Sequence, residues 1–140
     1  MIVLSMKSNL GLTLLELLIT VAILGILATI VYPQYQQYIT RTYRIHAAQA
    51  LLIIDKGMQD YYMQHQSYLG VTLASITANS SISEPHYHYQ IKALMPQSYQ
   101  LIAIPFGIQA RHDQRCGNLI INQWGEKSIS GSVLSMTCWQ

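Results

Sequence analysis

From Leu17 to Thr40 the chain carries no charged side chain, and Leu17 to Tyr32 is almost wholly Leu, Ile, Val, Ala and Gly. With Leu12 to Leu15 in front, this run approaches the roughly 20 residues a helix needs to cross about 30 Å of hydrocarbon. One membrane-competent helix near the start is therefore the first constraint on any fold. The low charge of the chain is a local effect: Asp, Glu, Lys and Arg make up 10% of its 140 residues, and past Arg41 the composition is that of a soluble domain. A secretory signal has an apolar stretch of about 7 to 15 residues followed by an A-x-A-like site, whereas this run is longer and no such site follows it. Glu16 sits just inside the apolar run. A carboxylate within hydrocarbon costs a few kcal/mol, so it calls for a partner, best a positive charge at the same depth.

The net charge of +2 is small and the eight basic residues are scattered, with no stripe of the kind nucleic-acid binders show. Lys7 lies on one side of the apolar run and Arg41 and Arg44 on the other, so flanking charge does not orient it. Cys116 and Cys138 belong to no CxxC pair and to no Cys/His set with metal spacing, and read as one disulfide. That places the C-terminal part in an oxidising compartment, which for a membrane-anchored bacterial chain is the periplasm or beyond. Closing a loop of about 22 residues adds about 3 kcal/mol by the chain-entropy argument.

Helical patterning continues past the apolar run. Ala47, Leu51, Ile54, Met58 and Tyr61 form a single apolar face, while Arg44, Gln49, Lys56, Gln59 and Asp60 occupy the opposite face and suit solvent. The pattern predicts one helix from about Leu12 to about Gln66, about 80 Å long at 1.5 Å per residue. Its first half is apolar all round and its second half amphipathic. Pro33 predicts a kink near Tyr32, and Gly25 adds a second weak point. Gly57, in the amphipathic half, costs about 1 kcal/mol relative to alanine with no reason visible in the sequence.

SYLGVTLASITANSSISEP, rich in Ser, Thr, Gly and Asn, reads as a connecting loop. From His86 strand grammar takes over: HYHYQIKAL, a turn at Met95-Pro96-Gln97, SYQLIAIPF, NLIINQ, a turn at Trp124-Gly125, then EKSISGS leading to VLSMTCW. The expectation is an α+β fold with three or four antiparallel strands, one face packed on the helix stripe ending at Tyr61 and the other free to meet neighbouring subunits.

GLTLLELLITVAILGILATIVYPQYQQY resembles the class III signal of type IV pilins and pseudopilins. The resemblance implies cleavage by prepilin peptidase between Gly11 and Leu12 and N-methylation of the new amine on Leu12, although the family usually has phenylalanine there. Glu16 matches the acid at the fifth mature position, which in the family pairs with the N-terminal amine of a neighbouring subunit. A leader MKSNLG fits better than one preceded by MIVLS, so the expected start is Met6. The resemblance also makes Gly25 to Pro33 the candidate flexible segment. RIHAAQALLIIDKGMQDYYMQHQSY, SYQLIAIPFGIQARHDQRCGNLIINQWGEKSISG and the closing Cys-Trp are similar to PilE-type minor pilins, which implies that Cys116 and Cys138 bound a C-terminal loop at the filament surface or tip.

The resulting expectation is a leader over 1–11, an apolar helix over 12–40 and a periplasmic globular part over 41–140. Held in the inner membrane and then extracted into an extracellular pilus, the chain is read as a non-enzymatic minor pilin whose partners are other pilin subunits. Adhesion, twitching motility and DNA uptake all remain open as the task of the filament. A pseudopilin of a type II secretion system is the alternative within this architecture, and a signal-anchored binding domain the alternative outside it. No motif calls for a cofactor or a small-molecule substrate. His86 and His88, with Glu84, are a weak metal pattern set against a solvated edge strand, and His112-Asp113 lacks a nucleophile elbow or oxyanion loop. Arg111, His112, Arg115 and Lys127 form a candidate basic spot for DNA near the disulfide loop, diluted by Asp113 and Glu126.

Overall fold

The computed structural model describes residues 13–78, 82 and 85–140. Gly11, Leu12, the expected start at Met6, and Glu84 lie outside these residues. The chain divides into two compact units, one reaching to Gln36 and the other running from Gln37 to Gln140. Helix α1 (Leu14–His65) contributes to both.

In the first unit α1 begins at Thr13, whose Oγ1 accepts a hydrogen bond from the Glu16 backbone N–H at 3.2 Å and whose carbonyl accepts from Leu17 N at 3.2 Å. This is an N-cap, and it satisfies donors that the helix itself cannot. Helical backbone continues through Gly25 and Pro33. Every side chain from Leu14 to Tyr35 is exposed, and α1 is, among the described residues, the helix long and apolar enough to cross a membrane.

In the second unit four antiparallel strands, β1 (Tyr87–Met95), β2 (Ser98–Pro105), β3 (Leu119–Asn122) and β4 (Lys127–Ile129), lie in that order in one sheet. Ala47, Leu51, Ile54 and Met58 of α1 are at most 1% exposed and pack with Tyr99, Leu101, Ala103, Leu119 and Ile121. Burying each large apolar side chain is worth about 1.5–3 kcal/mol. Two expectations need correction. Tyr61 is not part of the buried stripe: it stacks on His65 at the helix end, and Tyr68, 5% exposed, closes the core instead. Arg44 does not face solvent but reaches a buried carboxylate, as described below.

Three short helices fall outside the expected helix: α2 (Leu73–Thr77) where the sequence reads as loop, α3 (Gly107–His112) in a stretch given no element, and α4 (Ser135–Cys138) after the last expected strand. In α2, Thr72 and Ser75 form a reciprocal capping box. The helix explains Gly57, because a Cβ there would lie 2.9 Å from the Ile76 Cβ and 3.0 Å from its carbonyl oxygen. Gly57→Ala is expected to destabilise by about 1–3 kcal/mol through overpacking, against alanine's better helix propensity. Thermal unfolding of the full chain in detergent micelles measures it, and an unchanged or raised midpoint would refute the contact.

Candidate functional site

Cys116 and Cys138 form a disulfide with Cα atoms 5.8 Å apart, which ties α4 to the turn that follows α3. Along that turn the Asp113 carbonyl accepts from Cys116 N at 3.1 Å and Gly117 N at 2.8 Å. The Arg115 carbonyl accepts from Ser132 N at 3.0 Å, and a Cβ on Gly131 would overlap that carbonyl. Glycine is therefore required where the C-terminal loop lies against the turn.

A buried polar cluster fixes this turn to α1. Asp113, 2% exposed, receives Arg44 through two hydrogen bonds, Nε to Oδ2 at 2.8 Å and a terminal nitrogen to Oδ1 at 2.7 Å. Tyr87 donates its hydroxyl to Asp113 Oδ2 at 3.0 Å. Gln109 Nε2 lies 3.0 Å from the Thr40 carbonyl, 3.0 Å from the Tyr87 hydroxyl and 3.2 Å from Asp113 Oδ2. Such a pair is worthwhile only when the remaining lone pairs are satisfied, and here they are. Burial holds the Tyr87 phenol well above the ordinary tyrosine range, outweighing the opposing hydrogen bond from Gln109, and the Asp113 carboxylate adds to the shift. Tyr87 thus stays a donor. A second set lies between α1 and β2, where Tyr99 donates to Asp55 Oδ1 at 2.6 Å and accepts from Gln59 at 2.9 Å. Burial, with the Asp55 hydrogen bond, likewise raises the Tyr99 phenol far above its usual range.

With Asp113 withdrawn, the basic residues around it change character. Arg111 and His112 close α3, Arg115 follows on the turn, and all three are exposed. Asp113 is taken up by its ion pair with Arg44, so its carboxylate does not stand among the exposed charges as the expected dilution of the basic spot supposes. Glu126 accepts from Asn122 Nδ2 at 2.6 Å in the β3–β4 turn. Lys127 pairs with Ile121 in the β3–β4 ladder, and its ammonium sits 5.2 Å over the Trp139 ring. It also lines a shallow cleft of about 270 Å³ with Ser135, Met136, Trp139 and Gln140. The His86 ring lies tilted against Tyr43, with centroids 3.8 Å apart, and His88 stacks on Phe106, so the two histidines take different partners. Among the described residues no group of three His, Cys, Asp or Glu side chains could hold a metal ion.

Of the residues singled out in the first unit, Glu16 stands exposed in the first turn of α1, where the helix dipole favours a carboxylate. A Cβ on Gly25 would meet nothing within 4 Å. Sequence reasoning missed Arg44 and Asp113 as partners, since nothing local links residues 69 positions apart. The Thr13-x-x-Glu16 spacing is the local capping signature of this helix start.

The family model described as type IV minor pilin ComP, DNA uptake sequence receptor, matches residues 33–120, and the prokaryotic N-terminal methylation motif matches residues 6–32. The chain is 36% identical over 74 residues to a fimbrial protein of Neisseria meningitidis serogroup B, covering 51% of this chain and 42% of that protein. It is 33% identical over 85 residues to the type IV major pilin protein PilE of Neisseria gonorrhoeae, covering 59% and 49%. Over 37 residues, 26% of this chain and 24% of the other, it is 62% identical to a fimbrial protein of Pseudomonas aeruginosa. The chain thus spans less than half the length of the curated relatives it matches. A solved type IV pilin from Shewanella oneidensis superposes with a TM-score of 0.51 at 18% identity, over 69% of this chain and 98% of that one, and shows the shared fold.

Proposed function

The chain belongs to the type IV minor pilin family whose model is described as ComP, DNA uptake sequence receptor, and on that premise we propose that it is a pilus subunit that receives duplex DNA. The observation that carries the DNA reading is the exposed trio Arg111, His112 and Arg115 on a turn whose carboxylate, Asp113, is turned inward and neutralised by Arg44. Cations presented without a competing acid attract phosphates, and each phosphate contact releases counterions. A gel shift with the full chain in detergent micelles, at low and at moderate salt, tests it. Arg111→Ala with Arg115→Ala is expected to weaken binding to all duplexes alike and to reduce the slope of log affinity against log salt by about 2. No shift by the unaltered protein at low salt would end the reading.

The same proposal covers the path to the filament. Prepilin peptidase cleaves after Gly11, Leu12 receives the methyl group, and the apolar part of α1 holds the subunit in the inner membrane until assembly. Its side chains then exchange lipid for the helices of other pilin subunits and stay out of water throughout. Glu16 supplies register by meeting the N-terminal amine of a neighbour, and Gly25 to Pro33 supplies the segment that loosens as subunits pack. The disulfide supports a periplasmic position for the second unit before assembly, since such bonds persist in oxidising compartments. The pseudopilin and signal-anchored alternatives are not favoured by the family match.

A further inference from the structure

The basic turn explains how DNA is held and leaves open how one sequence is told from another. Phosphate contacts position a protein on the duplex, and base-edge contacts specify. The surface next to the turn has the form needed for the second task. Along β1, Tyr87 is buried and Tyr89 and Ile91 half-buried, while His88, Gln90 and Lys92 are exposed. Directly opposed residues of an antiparallel pair share a face. Lys92 lies opposite Gln100, so these two stand side by side with Gln90 and His88 on the outward face. Among the described residues β1 is the sheet edge, with no strand beyond it.

Three features suit this face to DNA. Neither strand contains an Asp or Glu, so nothing on the ribbon repels phosphate. Its exposed polar side chains, which stand beside Ile102 and Ile104, include ones with base-edge partners: glutamine pairs in two places with adenine, and lysine with guanine, in the major groove. The spacing also matches. Alternate residues on one strand face recur about every 6.7 Å, about two base-pair steps, and two strands about 4.8 Å apart enter a groove about 12 Å wide. The ribbon leads straight to the basic turn, because α3 begins two residues after Pro105, and the His88 ring stacks 4.0 Å from Phe106 in that connection.

We propose that the outward face of the β1–β2 ribbon, formed by His88, Gln90, Lys92 and Gln100, reads base edges in the DNA major groove while Arg111 and Arg115 hold phosphates. The assignment rests on the DNA reading above. For the test, the full chain in detergent micelles is offered a randomised duplex pool at low salt, and the retained sequences are compared among variants. The unaltered protein is expected to enrich a defined motif. Gln90→Ala with Gln100→Ala is expected to hold total duplex within about twofold while losing about tenfold or more of its preference at the base pairs those residues read. Gln90→Glu exchanges adenine's partner for cytosine's, so it moves the preference, an outcome that misfolding does not produce. Arg111→Ala with Arg115→Ala keeps the motif and weakens retention overall. The inference is overturned if the glutamine variants enrich the same motif as strongly, or if the unaltered protein retains duplex with no preference, and in both cases the DNA reading stands. Retention of no duplex at low salt removes both.

Discussion

Replacing Arg44 with methionine is expected to cost the globular unit about 3–5 kcal/mol, because it leaves the Asp113 carboxylate buried with no counter-charge. The Tyr87 and Gln109 hydrogen bonds remain, but two neutral donors do not replace a guanidinium that meets both carboxylate oxygens. In a unit of about 100 residues such a loss lowers the melting midpoint on the order of 15 °C or more. Asp113→Leu added to Arg44→Met is expected to restore much of it, since removing both charges removes the uncompensated one. The same variants report on function. Without Arg44, Asp113 has every reason to turn outward among Arg111, His112 and Arg115, so Arg44→Met is expected to weaken duplex binding while the double variant recovers it. An Arg44→Met protein that melts like the unaltered one would show that the pair contributes nothing net.

Glu16→Ala is expected to leave the subunit in the membrane and to cut its recovery in sheared filaments at least tenfold. An acid packed among apolar helices is tolerated only beside a positive charge, and the proposed partner at that depth is the amine of a neighbour. Even about 1.4 kcal/mol of preference for the docked register corresponds to about tenfold. Quantifying the protein in membranes and in purified filaments from the same cells separates insertion from assembly. Filaments carrying the normal amount would defeat the register role of Glu16. Loss from both fractions would also defeat it, placing the fault in insertion; the helix start is not expected to fail, because Thr13 caps the Glu16 backbone N–H, which alanine retains.

How much of this was legible depended on how local each cause is. The long helix, its stripe of Ala47, Leu51, Ile54 and Met58, the four strands and the cysteine pair announce themselves by periodicity and spacing, and the structure agrees. Tyr61 misled because it keeps the period while sitting at the helix end, where Gln66 takes a φ of 56° and the chain leaves. Helices α2, α3 and α4 are too short for periodicity to register. Arg44 looked like a solvent residue because arginine usually is, and only the fold brings Asp113 to it. Gly57 could be understood only once Ile76 was found against it. The candidate basic spot is recognisable as a composition, but the sequence does not say that Asp113 turns inward to Arg44.

On the proposed DNA reading, the filament must also pull what it holds. Tension entering at Arg111 and Arg115 arrives on a turn anchored twice, to α1 through the Arg44–Asp113 pair and to the C-terminal loop through the Cys116–Cys138 bond. Neither anchor passes through the short β3–β4 ladder, whose strands would otherwise peel apart one rung at a time. Load on the turn is therefore shared between the two hydrogen bonds to Arg44 on α1 and a covalent bond to the C-terminal loop.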